Sequence, residues 1–254
     1  MTVSHAEQRE LWASGRVTDL FAASACDWTP EGTRHAVRVL HAPFARDTQA
    51  SRRCAAVLSE AEALRAGRSV TEEGAAHFKQ RRAFRRYCGA LALGSSRPLG
   101  EIDFKETEKG RPYLAEAPDL WFSFSSCRLG FLGAWSSTHA IGVDLEDRTR
   151  PLEAVELAQQ YFLEAEAKAV AGADAPARLA LFFKLWTLKE AALKSIGEGL
   201  PFGLDAFGFE LTPALIIVRA PHDHGGPERF DPHIIEHADT CAALVIRSAS
   251  PLGT

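Results

Sequence analysis

Residues 141–146 alternate between branched apolar side chains and small or acidic ones, which is the pattern of a β-strand with one face against a core. Because successive strand side chains point to opposite faces, Gly142, Asp144 and Glu146 share the face away from the apolar residues. Two carboxylates at this spacing can turn their oxygens toward one hard cation such as Mg²⁺, and Gly142 leaves room for a ligand or a close backbone. Taken alone, the spacing is more typical of a solvated acidic face, so a metal site needs a third oxygen ligand from elsewhere.

Residues 178–196 predict a helix that is apolar almost all round. One apolar stripe follows spacings of four and three residues and consists of Leu181, Leu185, Leu188 and Ala192. Glu190 and Lys194 lie roughly opposite this stripe, where they could form a solvated pair one helical turn apart. Phe182, Phe183 and Trp186 flank the same side, however, and a helix of this kind is usually buried. Since buried charges need partners or a metal ion, we favour a functional role for Glu190 and Lys194 in an apolar cleft.

The remaining pattern alternates helices and strands before and after about residue 140, which predicts an α+β fold. Helices are predicted at residues 49–66, 71–93 and 152–172, and strands at residues 37–44, 120–124, 131–135, 207–211, 215–219 and 241–246. Residues 109–112 have turn chemistry, and residues 1–34 are expected to be an irregular or helical N-terminal extension. We interpret residues 222–224 and 230–233 as polar loops rather than metal sites.

Composition limits the classes of function. Hydrophobic residues make up 46% of the 254 positions, which is ample for a packed core, and the net charge of −4 argues against a general nucleic-acid binder. The five cysteines are widely spaced and lack a C-x-x-C pair, so we expect reduced thiols in a cytoplasmic protein. Neither a secretory signal nor an apolar stretch long enough for a membrane span is visible.

Together, the strand and the helix resemble the two signature motifs of the 4′-phosphopantetheinyl transferases. The matching residues are Gly142-Val143-Asp144-x-Glu146 and Trp186-x-x-Lys189-Glu190-Ala191-x-x-Lys194. Their separation along the chain and the chain length are similar to those of the surfactin-synthetase-activating (Sfp-type) branch. This resemblance implies a monomer of two similar α+β halves related by a pseudo-twofold axis. Here the halves are residues 35–140 and residues 141–254, and the second carries the metal-binding motifs.

Other stretches are similar to the same family. Residues 109–114 resemble its G-K-P segment beside the adenine, and residues 122–126 align with its F-N-x-S-H segment. Residues 58–65, followed by the arginine-rich helix predicted at residues 71–93, resemble its N-terminal half. The implied coenzyme A contacts are Arg65, Arg82, Lys109, Gly110, Arg111, Pro112, Ser123, Ser125, Ser126, Asp144, Lys189 and Lys194. Arg81, Arg85 and Arg86 compete with Arg82 for its place.

The family's catalytic roles carry over to four residues. Asp144, Glu146 and Glu190 match the acidic ligands of Mg²⁺, with Mn²⁺ as an alternative ion. Glu190 also matches the proposed base that activates the acceptor serine. Lys194 matches the lysine that neutralises the pyrophosphate and assists the departing 3′,5′-ADP.

The chain departs from the family at two positions. Ser123 and Ser126 stand where the family usually has Asn and His, and that His contacts a phosphate. A serine can donate one hydrogen bond but brings no positive charge. Arg128 or the arginine-rich helix is therefore the candidate for compensation.

The resemblance implies transfer of the 4′-phosphopantetheine arm of coenzyme A to a serine of an apo acyl, peptidyl or aryl carrier protein. Neither a nucleic acid nor a membrane is expected as a partner, and fatty-acid and secondary-metabolite pathways both stay open. Two alternative functions also stay open. One is a Mg²⁺-dependent phosphohydrolase that uses the same acidic residues. The other is a noncatalytic protein that binds coenzyme A or a carrier protein, which Ser126 favours.

Overall fold

Antiparallel sheets and α-helices form an α+β fold, as predicted, in the computed structural model, which describes Phe21 and residues 26–28, 36–237 and 239–248. The first sheet consists, in spatial order, of β1 (Cys26–Trp28), β2 (Val37–Pro43), β6 (Gly130–Ser136) and β5 (Trp121–Cys127). The second sheet consists of β10 (Phe230–His237), β11 (Thr240–Arg247) and β7 (Ala140–Asp147). Two short pairs complete the strands: β3 (Phe104–Glu106) with β4 (Pro112–Leu114), and β8 (Gly208–Glu210) with β9 (Ile216–Arg219).

Helices lie between these strands. They are α1 (Thr48–Ala55), α2 (Glu60–Gly67), α3 (Glu72–Leu93), α4 (Ala154–Tyr161), α5 (Glu164–Gly172) and α6 (Ala175–Ser195). Within the residues described, none of them combines the length and the apolar character needed to cross a membrane.

Apolar side chains from both sheets fill the space between the sheets. The contribution of β7 is Ile141, Val143 and Leu145, which confirms the predicted apolar face of this strand. Side-chain hydrogen bonds link β5 directly to β7. Ser123 Oγ accepts from the Val143 N–H at 2.9 Å, and Trp121 Nε1 donates to the Ile141 carbonyl at 2.7 Å. The two sheets are thus held together along the strand that carries the acidic residues.

The other face of β7 is covered by α6. The two backbones come so close at Gly142 that a Cβ there would overlap the carbonyl oxygen of Ala191 and the amide nitrogen of Ser195. The room that Gly142 leaves is therefore used by the helix backbone rather than by a ligand. Phe182, Phe183 and other residues around the helix are buried, as predicted from its apolar pattern.

Alanine in place of Gly142 is expected to lower the free energy of unfolding by about 1–3 kcal/mol, because the helix must move away from the strand to admit a methyl group. The matched control is Gly172→Ala at the end of α5, where a Cβ would meet nothing within 4 Å. Urea unfolding of both variants gives the comparison. Equal stability of the two variants would contradict the close packing of α6 on β7.

The first sheet carries its own long helix, α3. Thr71 caps its N-terminus by accepting from the Gly74 N–H at 3.0 Å, and Gly94 ends it in the left-handed conformation with φ +58°. Phe84 and Cys88 of this helix are buried in a core with residues of the first sheet. The helix predicted at residues 71–93 is confirmed. The first sheet therefore carries α3, and the second sheet carries α6.

Two predicted helices are each divided in the structure. Residues 49–66 contain the break between α1 and α2, because Ser59 caps α2. Its hydroxyl accepts from the Glu62 N–H at 3.3 Å, and the Glu62 carboxylate accepts from the Ser59 N–H at 3.0 Å. Residues 152–172 contain the break between α4 and α5, where the Leu163 N–H donates to the Glu166 carboxylate at 3.0 Å. Helix-forming composition on both sides concealed these two caps.

The loop predicted at residues 230–233 is wrong, because these residues begin β10. Pro232 lacks an N–H donor, but β10 is the outer strand of its sheet, and an outer strand tolerates proline. The strand predicted at residues 120–124 is also longer than expected, since β5 pairs with β6 as far as Cys127. Ser125 and Ser126, which lie beyond the predicted strand, therefore belong to β5.

Part of the predicted N-terminal extension belongs to the first sheet. β1 pairs antiparallel with β2, and the ring of Phe21 packs against that of Phe84 with centroids 5.4 Å apart. The rest of residues 1–34 lies outside the described residues. The division of the chain at residues 35 and 141 stays a prediction.

Candidate active site

β7 and α6 bring a carboxylate and an ammonium group together. Asp144 is 4% exposed, and its Oδ1 accepts from Lys194 Nζ at 2.7 Å and from Ser125 Oγ at 2.8 Å. Lys194 Nζ also donates to the carbonyl of Val143 at 3.1 Å. Because the helix touches the strand at Gly142, the lysine reaches the next residue on the same strand face. The packing that excludes a side chain at Gly142 thus creates this contact.

Glu146 and Glu190 add two further carboxylates to this region. Burial raises the pKa of Glu146 to about 7, and the charges of Asp144 and Glu190 act in the same direction, while Arg150 opposes them. Arg150 Nη2 lies 3.1 Å from Glu146 Oε2. Burial also raises the pKa of Glu190, with the charge of Asp144 as the next cause. The three carboxylates are therefore close enough to disfavour one another's charge.

The carboxylate oxygens of Asp144, Glu146 and Glu190 are the kind of ligand that a hard cation such as Mg²⁺ prefers. Oδ2 of Asp144 is buried and makes no hydrogen bond within the described part of the chain, so it is an acceptor without a donor. In residues 36–237 and 239–248, however, no three His, Cys, Asp or Glu side chains are grouped closely enough to hold a metal ion. Lys194 and Arg150 pair with Asp144 and Glu146 instead. The assignment of Asp144, Glu146 and Glu190 as metal ligands stays a prediction.

A cleft of about 190 Å³ opens beside Glu190 and Lys194. The residues around it come from α3, from the β3–β4 turn, from β5 and from the end of α6; they are Arg85, Lys109, Gly110, Arg111, Pro112, Phe122, Ser123, Phe124, Glu190, Lys194, Gly197, Glu198 and Gly199. Seven of the predicted site residues, from three separate segments of the sequence, thus line one cavity. Among the predicted coenzyme A contacts, these are Lys109, Gly110, Arg111, Pro112, Ser123 and Lys194, together with the catalytic residue Glu190.

The β3–β4 turn presents two basic side chains to this cleft. Gly110 has φ +85°, a left-handed conformation that suits glycine, and it reverses the chain. The guanidinium of Arg111 lies 4.1 Å from the centroid of the Trp121 ring, and burial lowers the pKa of Arg111. Lys109 pairs with Glu198 across the cleft. The turn is therefore fixed against the second half of the chain.

The three serines of β5 have different surroundings. The hydroxyl of Ser123 is used to hold the Val143 N–H, and the hydroxyl of Ser125 donates to Asp144. Ser126 faces a second cavity of about 210 Å³, which Ser125 also lines. Ser123 and Ser125 are thus each bonded to β7. Ser126 lines a cavity and makes no hydrogen bond to β7 among the described residues.

Lys189 does not lie with the other predicted contacts. Its side chain is 0% exposed, and its Nζ lies 2.7 Å from Glu166 Oε2 and donates to the carbonyls of Leu204 and Phe207 at 3.2 and 2.5 Å. Successive helix residues point about 100° apart, so Lys189 faces the core when Glu190 faces the cleft. The structure contradicts the predicted cofactor contact of Lys189, and its role is internal.

Two predicted arginine contacts also have other partners. Arg82 Nε lies 3.5 Å from Glu62 Oε1, and the guanidinium of Arg65 stacks over Phe78 at 5.5 Å. In the described residues, neither arginine lines either of the two cavities. Their predicted positions near the coenzyme A phosphates stay predictions.

Arg85 lines both cavities, although the sequence had given preference to Arg82. Burial lowers the pKa of Arg85 to about 10, and the charges of Arg82 and Arg81 contribute in the same direction. The sequence separates these arginines by helix face but does not say which face meets the cavity. Arg81 and Arg85 are four residues apart and share one face of α3, whereas Arg82 and Arg86 share the next face.

Comparison with known proteins gives a consistent result. A family model described as the 4′-phosphopantetheinyl transferase superfamily matches residues 140–244, which include the acidic strand and α6. The chain is 30% identical to 4′-phosphopantetheinyl transferase Sfp of Bacillus subtilis (strain 168), over 49% of this chain and 54% of that protein. It is 29% identical to psf-1 of Bacillus pumilus, over 51% and 54%. It is 32% identical to HetI of Nostoc sp. (strain PCC 7120 / SAG 25.82 / UTEX 2576), over 63% and 67%. The chain spans about half the length of the first two relatives.

Proposed function

The chain belongs to the 4′-phosphopantetheinyl transferase superfamily, and on this basis we propose that it transfers the 4′-phosphopantetheine arm of coenzyme A to a serine of an apo carrier protein. The observation that carries the proposal is the placement of Glu190 and Lys194 on one face of α6 at the same cleft. A base and a cation one helical turn apart suit a reaction in which a proton is removed and a phosphate leaves.

The proposed reaction balances without an internal nucleophile. The serine oxygen of the carrier protein forms a bond to the phosphorus next to pantetheine, and its proton goes to Glu190. The pyrophosphate bond breaks, and 3′,5′-ADP leaves with the bonding electron pair. Glu190 lines the same cleft as Lys194, so its carboxylate is the proposed acceptor of the serine proton.

Lys194 is the proposed cation for the leaving group. Its Nζ donates to Asp144 and to a backbone carbonyl, so it is already oriented toward the acidic face of β7. Donation to a phosphate oxygen there would stabilise the charge that develops as the pyrophosphate bond breaks. Asp144 and Ser125 hold the lysine in this orientation through Oδ1 of the aspartate.

Mg²⁺, or Mn²⁺, is part of the proposal, with Asp144, Glu146 and Glu190 as the residues that would hold it. When bound, the ion supplies positive charge to the pyrophosphate. Two observations support this assignment. Oδ2 of Asp144 is buried without a hydrogen-bond donor, and a cation would give it a partner. The pKa of Glu146 is raised, and a nearby cation would favour the ionised carboxylate.

The proposed partners follow the same reasoning. Coenzyme A is the co-substrate, and the acceptor is an apo acyl, peptidyl or aryl carrier protein. We propose that the protein acts as a monomer in the cytoplasm, without a nucleic acid or a membrane as partner. The free thiols of Cys54, Cys88, Cys127 and Cys241 are in keeping with a reducing compartment.

Intact-mass measurement of an apo acyl carrier protein tests this proposal. Incubation with the protein, coenzyme A and Mg²⁺ is expected to add the mass of one phosphopantetheine group. Removal of divalent ions with EDTA is expected to abolish the gain, and added Mg²⁺ or Mn²⁺ is expected to restore it. Transfer that persists in EDTA would contradict the role of the ion. A missing gain with acyl, peptidyl and aryl carrier proteins, while coenzyme A still binds, would favour the noncatalytic binder.

A further inference from the structure

We propose that Arg85 binds a phosphate of coenzyme A and supplies the positive charge that Ser126 lacks. This inference rests on the proposed function, since it concerns the same substrate. Arg85 borders the cleft that contains Glu190 and Lys194, and it also borders the adjoining cavity that contains Ser126. A guanidinium between these two spaces can meet a phosphate of coenzyme A bound in the cleft of Glu190 and Lys194.

The hydrogen-bonding groups of Arg85 are largely unused. Its Nε is buried and has no hydrogen-bond partner among the described residues. Its Nη1 donates to Glu106 at 3.3 Å, a long contact to a carboxylate that is 51% exposed. A guanidinium carries five N–H donors, and the Arg85 side chain is only 19% exposed. A partly buried cation with few partners is stabilised by an anion. The ring of Phe124 supports the group from one side, at 5.3 Å from its centroid.

Other basic residues near Ser126 are committed elsewhere. Arg86 forms two hydrogen bonds with Glu62, at 3.2 and 2.8 Å. Arg128 donates to Asp147 at 3.0 Å and to Thr149 at 3.2 Å, at the end of β7. Compensation for the missing histidine by Arg128 would break both contacts, whereas Arg85 requires no such change.

Arg81 is the other basic residue that lines the cavity of Ser126. Its guanidinium stacks over Phe78 at 5.6 Å, and it does not line the cleft of Glu190 and Lys194 in the described structure. The positive charges of Arg81 and Arg82 nevertheless act on Arg85 and lower its pKa. This concentration of positive charge favours a phosphate at the position between Arg85 and Ser126.

Calorimetric titration with coenzyme A in Mg²⁺ buffer tests the proposal. Arg85→Gln is expected to weaken binding about 10- to 100-fold, the range for loss of a charge-assisted hydrogen bond, and Arg85→Lys is expected to retain part of the affinity. Dephospho-coenzyme A identifies the phosphate. An equal loss with this ligand assigns the pyrophosphate, and a loss confined to coenzyme A assigns the 3′-phosphate. Unchanged affinity of Arg85→Gln for both ligands would overturn the proposal.

Two further variants separate binding from structure. Glu106→Gln removes the carboxylate partner of Arg85 and keeps the guanidinium, so it is expected to bind coenzyme A as the unaltered protein does. A loss equal to that of Arg85→Gln would assign Arg85 a structural role and overturn the proposal. Ser126→His is expected to restore affinity in the Arg85→Gln background more than it improves the unaltered protein. If the unaltered protein fails to bind coenzyme A, the proposed function itself fails.

Discussion

Glutamine in place of Glu190 is expected to lower the rate of phosphopantetheine transfer by about 10²- to 10⁴-fold, the usual contribution of a general base. The substitution keeps the size and the hydrogen-bonding capacity of the side chain but removes its ability to accept a proton. Coenzyme A binding is expected to change much less than the transfer rate. The measurements are single-turnover transfer to an apo carrier protein, followed by intact mass, and calorimetric titration with coenzyme A.

Glu198→Gln is the matched control for this variant. Glu198 lines the same cleft and pairs with Lys109, so its substitution also removes one carboxylate from the cavity. Most of the transfer rate is expected to remain. A Glu190→Gln variant as active as Glu198→Gln would remove Glu190 from the role of base. A protein that binds coenzyme A equally well before and after the substitution, and transfers nothing in either case, is the noncatalytic binder.

The acidic strand shows what alternation in a sequence can establish. The two-residue repeat of a β-strand predicted that Asp144 and Glu146 share one face of β7. In the structure, Asp144 on that face accepts a hydrogen bond from Lys194. The same pattern could not tell whether Gly142 makes room for a ligand or for a backbone. That choice depends on where α6 crosses the strand, which is a long-range property of the fold.

Helix α6 shows the limit of a motif. Lys189 and Glu190 are adjacent in the signature, and the resemblance assigned both to the site. Helix geometry separates them, because successive side chains point about 100° apart and that of Lys189 is buried beside Glu166. The same reasoning applied to α3 would have placed Arg85 with Arg81 rather than with Arg82. Which face of α3 meets the cavity, however, is decided by packing on the first sheet.

The division of the predicted helices has a local cause that composition conceals. Glu62 and Glu166 are good helix formers, yet each accepts a hydrogen bond from a backbone N–H three residues earlier and so begins a new helix. Glu166 has a second role that no local pattern indicates. It lies beside Lys189 only after α5 has packed on α6.

Substitution of Glu166 by glutamine is expected to lower the free energy of unfolding by about 3–5 kcal/mol, because it leaves Lys189 as a buried charge without its partner. Glu166 Oε2 lies 2.7 Å from Lys189 Nζ, and Oε1 accepts from the Phe209 N–H at 2.9 Å. Both side chains are buried, at 6% and 0% exposure. Urea unfolding at neutral pH measures the loss, and Glu164→Gln on the exposed side of α5 is the matched control, with little change expected.

The loss of stability is expected to depend on pH. Burial lowers the pKa of Lys189 below 10.5, and Glu166 opposes this shift, so its removal lowers the folded-state pKa further. Since the unfolded chain then binds more protons than the folded one between the two pKa values, the stability of Glu166→Gln rises with pH in that window. The difference in the free energy of unfolding between Glu166→Gln and the unaltered protein is therefore largest below the lowered pKa of Lys189 and smaller near pH 10.

A second substitution at the same pair isolates the charge. Lys189→Met in the Glu166→Gln background removes the unpaired ammonium and replaces it by an apolar side chain of similar length, so stability is expected to recover in part. A double variant less stable than Glu166→Gln would show that the contacts of Lys189 with the carbonyls of Leu204 and Phe207 outweigh its desolvation. Recovery would show that the desolvation of the unpaired ammonium outweighs those contacts.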